Sequence, residues 1–549
     1  PVSPPGTADG AFVLDFLRGD RSRENVDYRG RTHILGDIIN AEAVYVPPPR
    51  ANYGDAGYGA FKTAHANRTK MLYQGANDGM LHAFNAETGQ EMWAYVPGIL
   101  LNTNLGTYTG TSSLVNLSLR TGFTHLNYID ATPVSGDVDF NNTASSSGPS
   151  PDWRTILVGG LGKGGRGYYA LDITNPLASS DADVAAKVLW EFPNASTPPS
   201  VKKNIGYSFG TPIIVKTQSK GWVVLVTSGY NNGSDTGGDG QGHLFVLDAK
   251  TGNLIKDIST GVGSSTDPSG LAFISAYVQN GDVDATTDYV YGGDLKGNVW
   301  RFDLTGAVGS WNVKKLATLV DASGNYQPVT TPPELAELAT LGKRVVYVGT
   351  GRYLGQSDIP GTTGANSHAT QTQSLYALLD DLTPNPLINP LRSKLVQQTI
   401  NVTGGTVSIT PTTVNWNSKK GWFVDFPNTT ATTPSTVGQR VIGAPFLALG
   451  TLVVTTNVPN SDPCEPGGSS WIYFFDYAFS SSVYGSTLSA SGMSLGNSLA
   501  SRPTVIMLPN GQPKWLTQQS DQTQKGGSVP VSSSGSAKRR IMWREIVDQ

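Results

Sequence analysis

Oxygen-bearing side chains occupy every second position in one short stretch of the chain, QNGDVDATTDY. These residues are Asn280, Asp282, Asp284, Thr286 and Asp288. Their spacing matches ligand positions 1, 3, 5, 7 and 9 of a calcium loop, where position 7 gives its backbone carbonyl. Carboxylates this close together repel one another unless a hard cation lies between them. The stretch therefore predicts a calcium site, and a solvated acidic turn is the alternative.

The stretch differs from an EF-hand loop at two positions. Ala285 stands where a glycine is usual at position 6, and Tyr291 stands where a bidentate Glu is expected at position 12. The residues that follow read YVYGGD, which is a strand pattern and not a helical one. The predicted calcium loop therefore leads into a strand.

Two other acidic stretches are weaker candidates. Asp137, Asp139 and Asn141 repeat the spacing at what reads as a strand start, so turn hydrogen bonds are expected and a second ion is the alternative. Asp235 and Asp239 lie in the glycine-rich GSDTGGDGQG, which suits a flexible hairpin better than a preorganised cage.

Arg18, Gly19 and Asp20 form an RGD tripeptide. In adhesive ligands this tripeptide offers a guanidinium and a carboxylate to an integrin and its metal ion, so it is an integrin-binding candidate. It also follows an apolar helix-like run that begins at Ala11, so both charges could instead end a helix and pair with neighbours.

One unit that recurs along the chain must position these groups. Each copy has two short apolar runs joined by a glycine-containing turn, which predicts a pair of strands. The copies contain MLYQGANDGMLHAFN, TILVGGLGKGGRGYYALD, WVVLVTSGY with GHLFVLD, DYVYGGDLKGNVWRFD, and RVVYVGTGRYL with SLYALLD. No copy can bury both faces alone, so the copies must pack on one another.

The spacing of the copies favours a β-propeller. The first glycines are Gly75, Gly159, Gly229, Gly292 and Gly349, whose intervals are too long and uneven for a helical solenoid but suit four-stranded blades with insertions. Further strand pairs are predicted near Gly36, Arg440, Ser469 and Arg502. Together they predict an all-β chain with seven or eight blades, loop insertions and little helix.

Composition points to an exported protein without nucleic acid as a partner. Only 15% of residues are charged, the formal net charge is -3, and long Ser, Thr, Asn and Gly tracts read as surface loops. No run of 18 apolar residues is present, so no transmembrane segment is expected. Cys464, which has no second cysteine in the sequence, is expected either to be buried or to pair outside this chain. We interpret the chain as the C-terminal part of a longer exported protein.

Ordered blocks along most of the chain resemble one known family. The blocks are FLRGDRSRE, RTHILGDIINAEAVYV, GANDGMLHAFNAETGQEMWAYVP, YIDATPVSGDVDF, LVGGLGKGGRGYYALDIT, DYVYGGDLKGNVWRFDL and RRIMWREI. They are similar to the C-terminal domain of the PilY family of type IV pilus biogenesis factors and tip-associated adhesins of bacteria.

The resemblance carries expectations about fold and function. It implies a modified propeller related to the quinoprotein dehydrogenases, with residues 31–549 as one domain and residues 1–30 as an N-terminal segment packed on the ring. It also implies Ca²⁺ binding at the stretch above, control of pilus extension against retraction, twitching motility, adhesion and virulence. The expected partners are minor pilins and host integrin, and the expected location is the pilus tip or outer surface.

A quinone-dependent dehydrogenase on the same propeller is the alternative function. Enzymes of that class often carry a vicinal Cys-Cys disulfide, which this chain cannot form because Cys464 stands alone. GLGKGGRG reads as a turn between strands without the following helix that a phosphate loop needs. Trp93, Trp190 and Trp300 recur at similar repeat positions and are predicted to be core residues. A non-enzymatic module is therefore predicted.

Overall fold

A computed structural model gives the fold of most of the chain. It describes residues 10–101, 114–142, 150–338, 341–383, 390–410, 412–427, 438–460, 467–478 and 491–531, except for the side chain of Asn280. Two compact units divide the chain, Pro1–Gly270 (unit 1) and Leu271–Gln549 (unit 2). Cys464 and the C-terminal block RRIMWREI lie outside the described residues.

The described part of unit 1 contains three groups of four antiparallel strands, each paired in chain order. The first group is β1 Val44–Val46, β2 Met71–Gly75, β3 Leu81–Asn85 and β4 Glu91–Tyr95; the second is β5 Val134–Asp139, β6 Trp153–Gly160, β7 Tyr168–Asp172 and β8 Val188–Phe192; the third is β9 Ile213–Thr217, β10 Gly221–Thr227, β11 His243–Asp248 and β12 Leu254–Ser259.

Unit 2 begins with four antiparallel strands and continues into a larger sheet of ten. The first four are β13 Ile274–Asn280, β14 Asp284–Gly293, β15 Asn298–Asp303 and β16 Asn312–Thr318. The larger sheet uses β17 Glu334–Leu338, β18 Lys343–Gly349, β19 Ser374–Asp380, β20 Val396–Thr403, β21 Thr406–Thr410, β22 Gly421–Asp425, β23 Phe446–Ala448, β24 Thr451–Pro459, β25 Gly468–Asp476 and β26 Gly492–Gly496. A three-stranded sheet follows, with β27 Thr504–Met507, β28 Pro513–Gln518 and β29 Gln524–Ser528.

Every copy of the repeated unit forms the predicted antiparallel strand pair. The pairs are β2 with β3, β6 with β7, β10 with β11, β14 with β15, and β18 with β19. Their residues are buried almost without interruption, as in β11, because both faces of these strands are covered. Four-stranded antiparallel sheets of this kind are the blades of a propeller.

The described helices are few and short. They are α1 Gly10–Leu17, α2 Tyr58–Ala64, α3 Asp181–Ala185 and α4 Pro199–Lys203. Single 3₁₀ turns lie at Gly98–Leu101, Leu114–Ser118, Gly162–Gly164, Val308–Ser310, Gln356–Asp358, Ser367–Ala369 and Arg392–Lys394. None of these helices has the length and apolar character that crossing a lipid bilayer requires.

Helix α1 confirms the predicted helical run, whereas α2 was not predicted. Val13 and Phe16 of α1 are buried in one cluster with Tyr28. Helix α2 inserts Tyr58 and Phe61 beside Trp153 of β6, with ring centroids 4.8 Å and 6.3 Å from the tryptophan. Its apolar residues are few, so only this tertiary packing makes the helix stable.

The strand pair predicted from Gly36 is only partly present. Residues 36–43 have no strand, and β1 supplies three residues. The Gly36 amide donates to the Asp78 carboxylate at 2.7 Å, and the Asp37 carbonyl accepts from the Asn77 amide at 3.0 Å. Because the turn after β2 engages these backbone groups, they are not available for a second ladder.

Tryptophans contribute to the interior as predicted. Trp93, Trp190 and Trp300 are each 6% exposed or less. Their indole nitrogens donate to the Pro176 carbonyl at 2.7 Å, the Ala249 carbonyl at 3.0 Å and the Asp294 carboxylate at 2.9 Å. The prediction that they are core residues is confirmed.

Candidate functional site

The predicted calcium-binding residues lie at the end of the β13–β14 hairpin in unit 2. Asn280 ends β13, Asp284 begins β14, and residues 281–283 form the turn between them. Along β14, Ala285 and Thr287 are buried, whereas Asp284 is exposed and Asp288 is half-buried. The alternation of a strand therefore turns the buried residues inward and leaves the oxygen-bearing ones on the outer side.

Two bulges contract the outer half of β14. The register runs from Tyr277 opposite Tyr289, through Val278 opposite Thr287, to Asn280 opposite Asp284, and it shifts at each step. A regular strand from residue 284 to residue 289 would be about 17 Å long. These two residues are paired with residues 280 and 277 of β13, which are only about 10 Å apart in a regular strand. The bulges therefore bring the outer oxygen donors of β14 closer together than a regular strand would.

The Asp284 carboxylate organises the start of β14. Its Oδ1 accepts hydrogen bonds from the Thr286 amide at 3.0 Å and from the Thr286 hydroxyl at 2.6 Å. The Asp288 carbonyl accepts from the Leu304 amide at 2.8 Å, which ties this residue to the chain after β15. Asp282, in the turn, is exposed.

The donor set suits calcium, but its carboxylates do not yet point to one centre. Carboxylate and carbonyl oxygens are the ligands that Ca²⁺ prefers, at 2.3–2.6 Å. In the part of the chain that the structure describes, no three His, Cys, Asp or Glu side chains converge closely enough to hold a metal ion. Binding at residues 280–288 would therefore require the carboxylates to turn toward a common point.

A cluster of one buried and three half-buried side chains, which the sequence did not reveal, lies at the base of this hairpin. Tyr277 and Tyr289 face each other across β13 and β14, and the Arg344 guanidinium of β18 lies 3.7 Å and 4.7 Å from their ring centroids. The Tyr277 hydroxyl donates to Glu337 Oε2 of β17 at 2.9 Å. We call Tyr277, Tyr289, Glu337 and Arg344 the tyrosine clamp.

Tyr291, at the position of an EF-hand Glu, has a structural contact instead. Its hydroxyl donates to Asp380 Oδ2 at 2.7 Å, and Asp380 Oδ1 accepts from Arg301 at 2.5 Å. Burial raises the pKa of the Tyr291 hydroxyl. This side chain is part of the interior of unit 2.

The RGD tripeptide lies where α1 ends. Gly19 has φ +108°, a conformation that favours glycine, and its amide donates to the Phe16 carbonyl at 3.0 Å. Arg18 pairs with Asp181 at 2.8 Å. Asp20 accepts from the Ser22 amide at 2.7 Å and the Ser22 hydroxyl at 3.0 Å, and these bonds lower the pKa of the Asp20 carboxyl. Both charged groups therefore have partners within the chain, and integrin binding stays a prediction.

The weaker acidic candidates form local or buried hydrogen bonds. Asp139 accepts from the Asn141 amide at 3.0 Å and the Asp152 amide at 2.8 Å, which is the turn role expected from the sequence. Asp137 accepts from the Tyr58 hydroxyl at 2.8 Å and the Thr155 hydroxyl at 2.6 Å. These contacts account for both carboxylates without an ion.

The turn GLGKGGRG is held by close packing. A Cβ atom on Gly164 would lie 2.0 Å from the Tyr128 carbonyl oxygen, and one on Gly162 would lie 2.8 Å from the Asp130 carbonyl oxygen. Glycine is needed here because any side chain at these positions would collide with a second backbone segment.

Two histidines form matching arrangements that the sequence reasoning missed. His82 of β3 lies between Asp78 and Glu91, with ring nitrogens 3.1 Å and 2.7 Å from the carboxylates. His243 of β11 lies between Asp239 and Asp257 in the same way, at 3.2 Å and 2.7 Å. The signal was present as a repeated Asp-x-x-x-His-x-Phe pattern. Both histidines are thereby engaged in holding strands and turns together.

Comparisons with known proteins agree on one family. Residues 35–411 match the model of the PilY1 β-propeller domain. The type IV pilus biogenesis factor PilY1 of Pseudomonas aeruginosa strain UCBPP-PA14 is 31% identical over 524 residues, which cover 84% of this chain and 41% of that protein. A PilY1 homolog of Xylella fastidiosa is 30% identical over 565 residues, which cover 98% of this chain and 41% of that protein.

A solved structure extends the agreement to the fold. The crystal structure of the Pseudomonas aeruginosa PilY1 C-terminal domain matches with a TM-score of 0.63 and 23% identity, covering 88% of this chain and 98% of that domain. The predicted all-β propeller fold is confirmed. This chain spans 41% of the length of both curated relatives. Because the family model matches residues 35–411, more than half of the sequence, the chain belongs to the PilY1 β-propeller family.

Proposed function

We propose that this chain is a non-catalytic module of a type IV pilus biogenesis protein, and that it regulates pilus extension against retraction and hence twitching motility. The observation that carries the proposal is the match to curated type IV pilus biogenesis factors over 84% and 98% of the chain. A match of this extent includes the sheets and the β13–β14 hairpin together. We therefore assign this folded module to type IV pilus biogenesis.

The second part of the proposal is that Ca²⁺ binds at the hairpin end and serves as the signal. The carboxylates of Asp282, Asp284 and Asp288 would hold the ion with the Thr286 carbonyl and the Asn280 amide. The ion would supply two positive charges that offset the repulsion among these carboxylates. The hard oxygen donors and the contraction of β14 by two bulges support this assignment.

Calorimetry with two matched variants tests the ion site. Asp284 and Asp521 each accept from the amide and hydroxyl of the Thr two residues later, at nearly equal distances. Asp284→Asn should weaken calcium binding, and Asp521→Asn should leave it unchanged. We expect one site with a dissociation constant of about 10⁻⁷ to 10⁻⁴ M. Unchanged binding in an Asp282→Ala/Asp288→Ala variant would place the site elsewhere.

Motility measurements connect the ion site to pilus function. In the full-length protein in its own bacterium, Asp288→Ala should leave a folded module but alter surface pili or twitching. Asp288→Lys places an ammonium near the position of the ion and should imitate the bound state. Normal piliation and motility in both variants, with calcium binding lost, would mean that the site is only structural.

The proposed location is the bacterial outer surface or the pilus tip, where the module would contact minor pilins and adhere to surfaces or host integrin. Pilus association of the relatives supports this location. The RGD tripeptide supplies the candidate integrin contact, since Arg18 and Asp20 are exposed. Immunogold labelling of intact cells and of cell sections tests the location, and label found only in the periplasm of the sections would contradict it.

A quinone-dependent dehydrogenase remains the competing function. The single cysteine in the sequence argues against it, because no vicinal disulfide can form. His82 and His243 each lie between two carboxylates and hold turns and strands together. We expect that protein incubated with pyrroloquinoline quinone and calcium shows neither bound quinone absorbance nor dye reduction with alcohols. Turnover that depends on added quinone would overturn the non-catalytic assignment.

A further inference from the structure

The tyrosine clamp joins the hairpin of the proposed ion site to the next hairpin of unit 2. Glu337 and Arg344 face each other across β17 and β18, as Tyr277 and Tyr289 do across β13 and β14. The hydroxyl of Tyr277 reaches Glu337, and the guanidinium of Arg344 reaches both tyrosine rings. Each residue of one cross-strand pair thus contacts the other pair.

The Arg344 guanidinium contacts both rings, and the hydroxyl groups of Tyr277 and Tyr291 also contribute to its environment. Its Nη1 is buried and donates to no hydrogen-bond acceptor among the described residues. Cation–π attraction at 3.7 Å and 4.7 Å is therefore one of the interactions that hold this half-buried side chain in place. Moving either ring would remove one of these contacts from a half-buried charge.

The clamp is adjacent to the bulged segment. The first register shift of the hairpin comes directly after Tyr277, and Asp288 directly precedes Tyr289 in the chain. A change in the backbone at residue 288 therefore acts on the ring of the next residue, while the inner rungs from Tyr289 onward also pair with β15. The clamp is thus a side-chain contact through which the β13–β14 hairpin meets β17 and β18.

Beyond the clamp the contact continues into the ten-stranded sheet. Strand β18 pairs with β17 on one edge and with β19 on the other. Arg344 itself lies opposite Asp380, the carboxylate that accepts from Tyr291 and Arg301. Arg344 also interacts with Tyr291, so its side chain is linked to this buried network.

We infer that the tyrosine clamp couples ion binding at residues 280–288 to the β17–β18 hairpin, so that the ion orders both hairpins together. The inference rests on the proposed calcium site, because the clamp can transmit ion binding only if the ion binds at residues 280–288. Arg344 is a positioning residue: it touches no proposed ligand and acts through the two tyrosines.

Amide hydrogen exchange with and without calcium tests the coupling in the whole chain. For amides that exchange only when the ion has left, exchange should slow by about 100-fold at free calcium 100 times the dissociation constant. In the wild-type protein we expect slowing at residues 278–288 and also at residues 343–349. In Arg344→Met, which keeps the volume but removes the charge, slowing should be confined to residues 278–288.

A matched variant controls for the loss of a half-buried arginine. Arg392 also lies over two rings, 5.9 Å from Tyr376 and 4.5 Å from Phe423, elsewhere in unit 2. Arg392→Met should retain slowing at both segments, and Arg344→Lys should restore part of the slowing at residues 343–349.

The outcomes separate the inference from the function on which it rests. If calcium binds to the wild-type protein but residues 343–349 do not respond, or respond equally in Arg344→Met, the coupling is wrong and the ion site stands. If calorimetry finds no calcium binding to the wild-type protein, the proposed site itself is wrong, and the clamp is then only a packing contact.

Discussion

His82 and His243 occupy equivalent places in two sheets of unit 1. Each ring lies between a carboxylate from the preceding turn and one from the next strand, and each stacks on the Phe two residues later, at 5.9 Å and 5.6 Å between centroids. In the third copy of the pattern Asn298 takes the position, and its amide donates to Asp294 at 3.0 Å. The arrangement links a turn to the outer strand of the sheet.

The first prediction is a loss of stability in mild alkali. Burial disfavours the charged ring, but hydrogen bonds to Asp78 and Glu91 outweigh it and raise the pKa of His82 to about 9. A pKa that is higher in the folded chain than the usual value of about 6.5 stabilises the fold fully below about pH 6.5. This contribution, on the order of 1–3 kcal/mol, is lost as the pH rises through about 9.

Denaturant unfolding between pH 6 and 10 measures this contribution. His82→Asn introduces the residue that the third repeat has at this position. It should lower the free energy of unfolding at pH 6.5, whereas at pH 10 the variant and the wild type should differ little. Because other groups titrate above pH 8, the informative quantity is the difference between variant and wild type. A difference that does not depend on pH would mean that His82 is neutral in the folded chain.

Local patterns in the sequence were sufficient to predict the strand pairs and the core tryptophans. A glycine turn between two apolar runs predicts a hairpin by itself, because the two strands of a hairpin are neighbours in the sequence. The charged partners were not predictable in this way. Arg18 pairs with Asp181 across 163 residues, and the guanidinium of Arg440 reaches the Ala369 carbonyl across 71 residues.

The bulges at the candidate site show the same limit. The sequence places oxygen-bearing residues at alternate positions of β14, but the contraction depends on how β13 is paired with it. That register follows from burial of Ala285 and Thr287 together with the Tyr277–Tyr289 contact. The clamp residues Glu337 and Arg344 come from a later hairpin, so no local pattern could have identified them.

The second prediction concerns Arg440, which fixes the segment between β18 and β19. Its side chain is 1% exposed and donates to the carbonyls of Arg352 at 2.9 Å, Asp358 at 2.7 Å and Ala369 at 2.5 Å. Burial lowers the pKa of Arg440 to about 10. Arg440→Met would leave these carbonyls without their charged donor and should destabilise unit 2 by about 3 kcal/mol or more.

Limited proteolysis and thermal unfolding check the role of Arg440. Residues 352–369 should become cleavable in Arg440→Met. The exposed pair of Arg23 and Asp27 supplies the control, since Arg23→Met should cost less than about 1 kcal/mol. Equal protection of residues 352–369 in wild type and Arg440→Met would show that other contacts hold this segment.

The third prediction compares two glycines. Gly164→Ala places a methyl group against the Tyr128 backbone, which cannot move without shifting the turn after β6, so a loss of about 1–3 kcal/mol or more is expected. Gly309 has open space around its Cβ position and no positive φ, so Gly309→Ala should be neutral or slightly stabilising. Melting temperatures of both variants measure the difference. A melting temperature of Gly164→Ala equal to that of wild type would show that the turn is loosely packed.

The last prediction concerns competition for the RGD tripeptide. An integrin would have to draw Arg18 from Asp181 and Asp20 from Ser22. The Arg18 and Asp181 side chains are 52% and 80% exposed, so their pair is worth less than about 1 kcal/mol. Removing it with Asp181→Asn should therefore increase integrin capture by up to about fivefold, because 1.4 kcal/mol corresponds to a factor of ten.

Surface capture of a purified integrin in divalent-metal buffer measures this effect. Asp20→Glu, which lengthens the carboxylate arm, should weaken capture. Asp183→Asn on the same helix α3 serves as the control, because Asp183 bonds to Ser179 and does not contact Arg18. Equal capture by wild type, Asp20→Glu and Asp181→Asn would mean that the tripeptide only ends α1. Integrin binding through the tripeptide should change when the Asp20 carboxylate is moved or when Arg18 loses its partner.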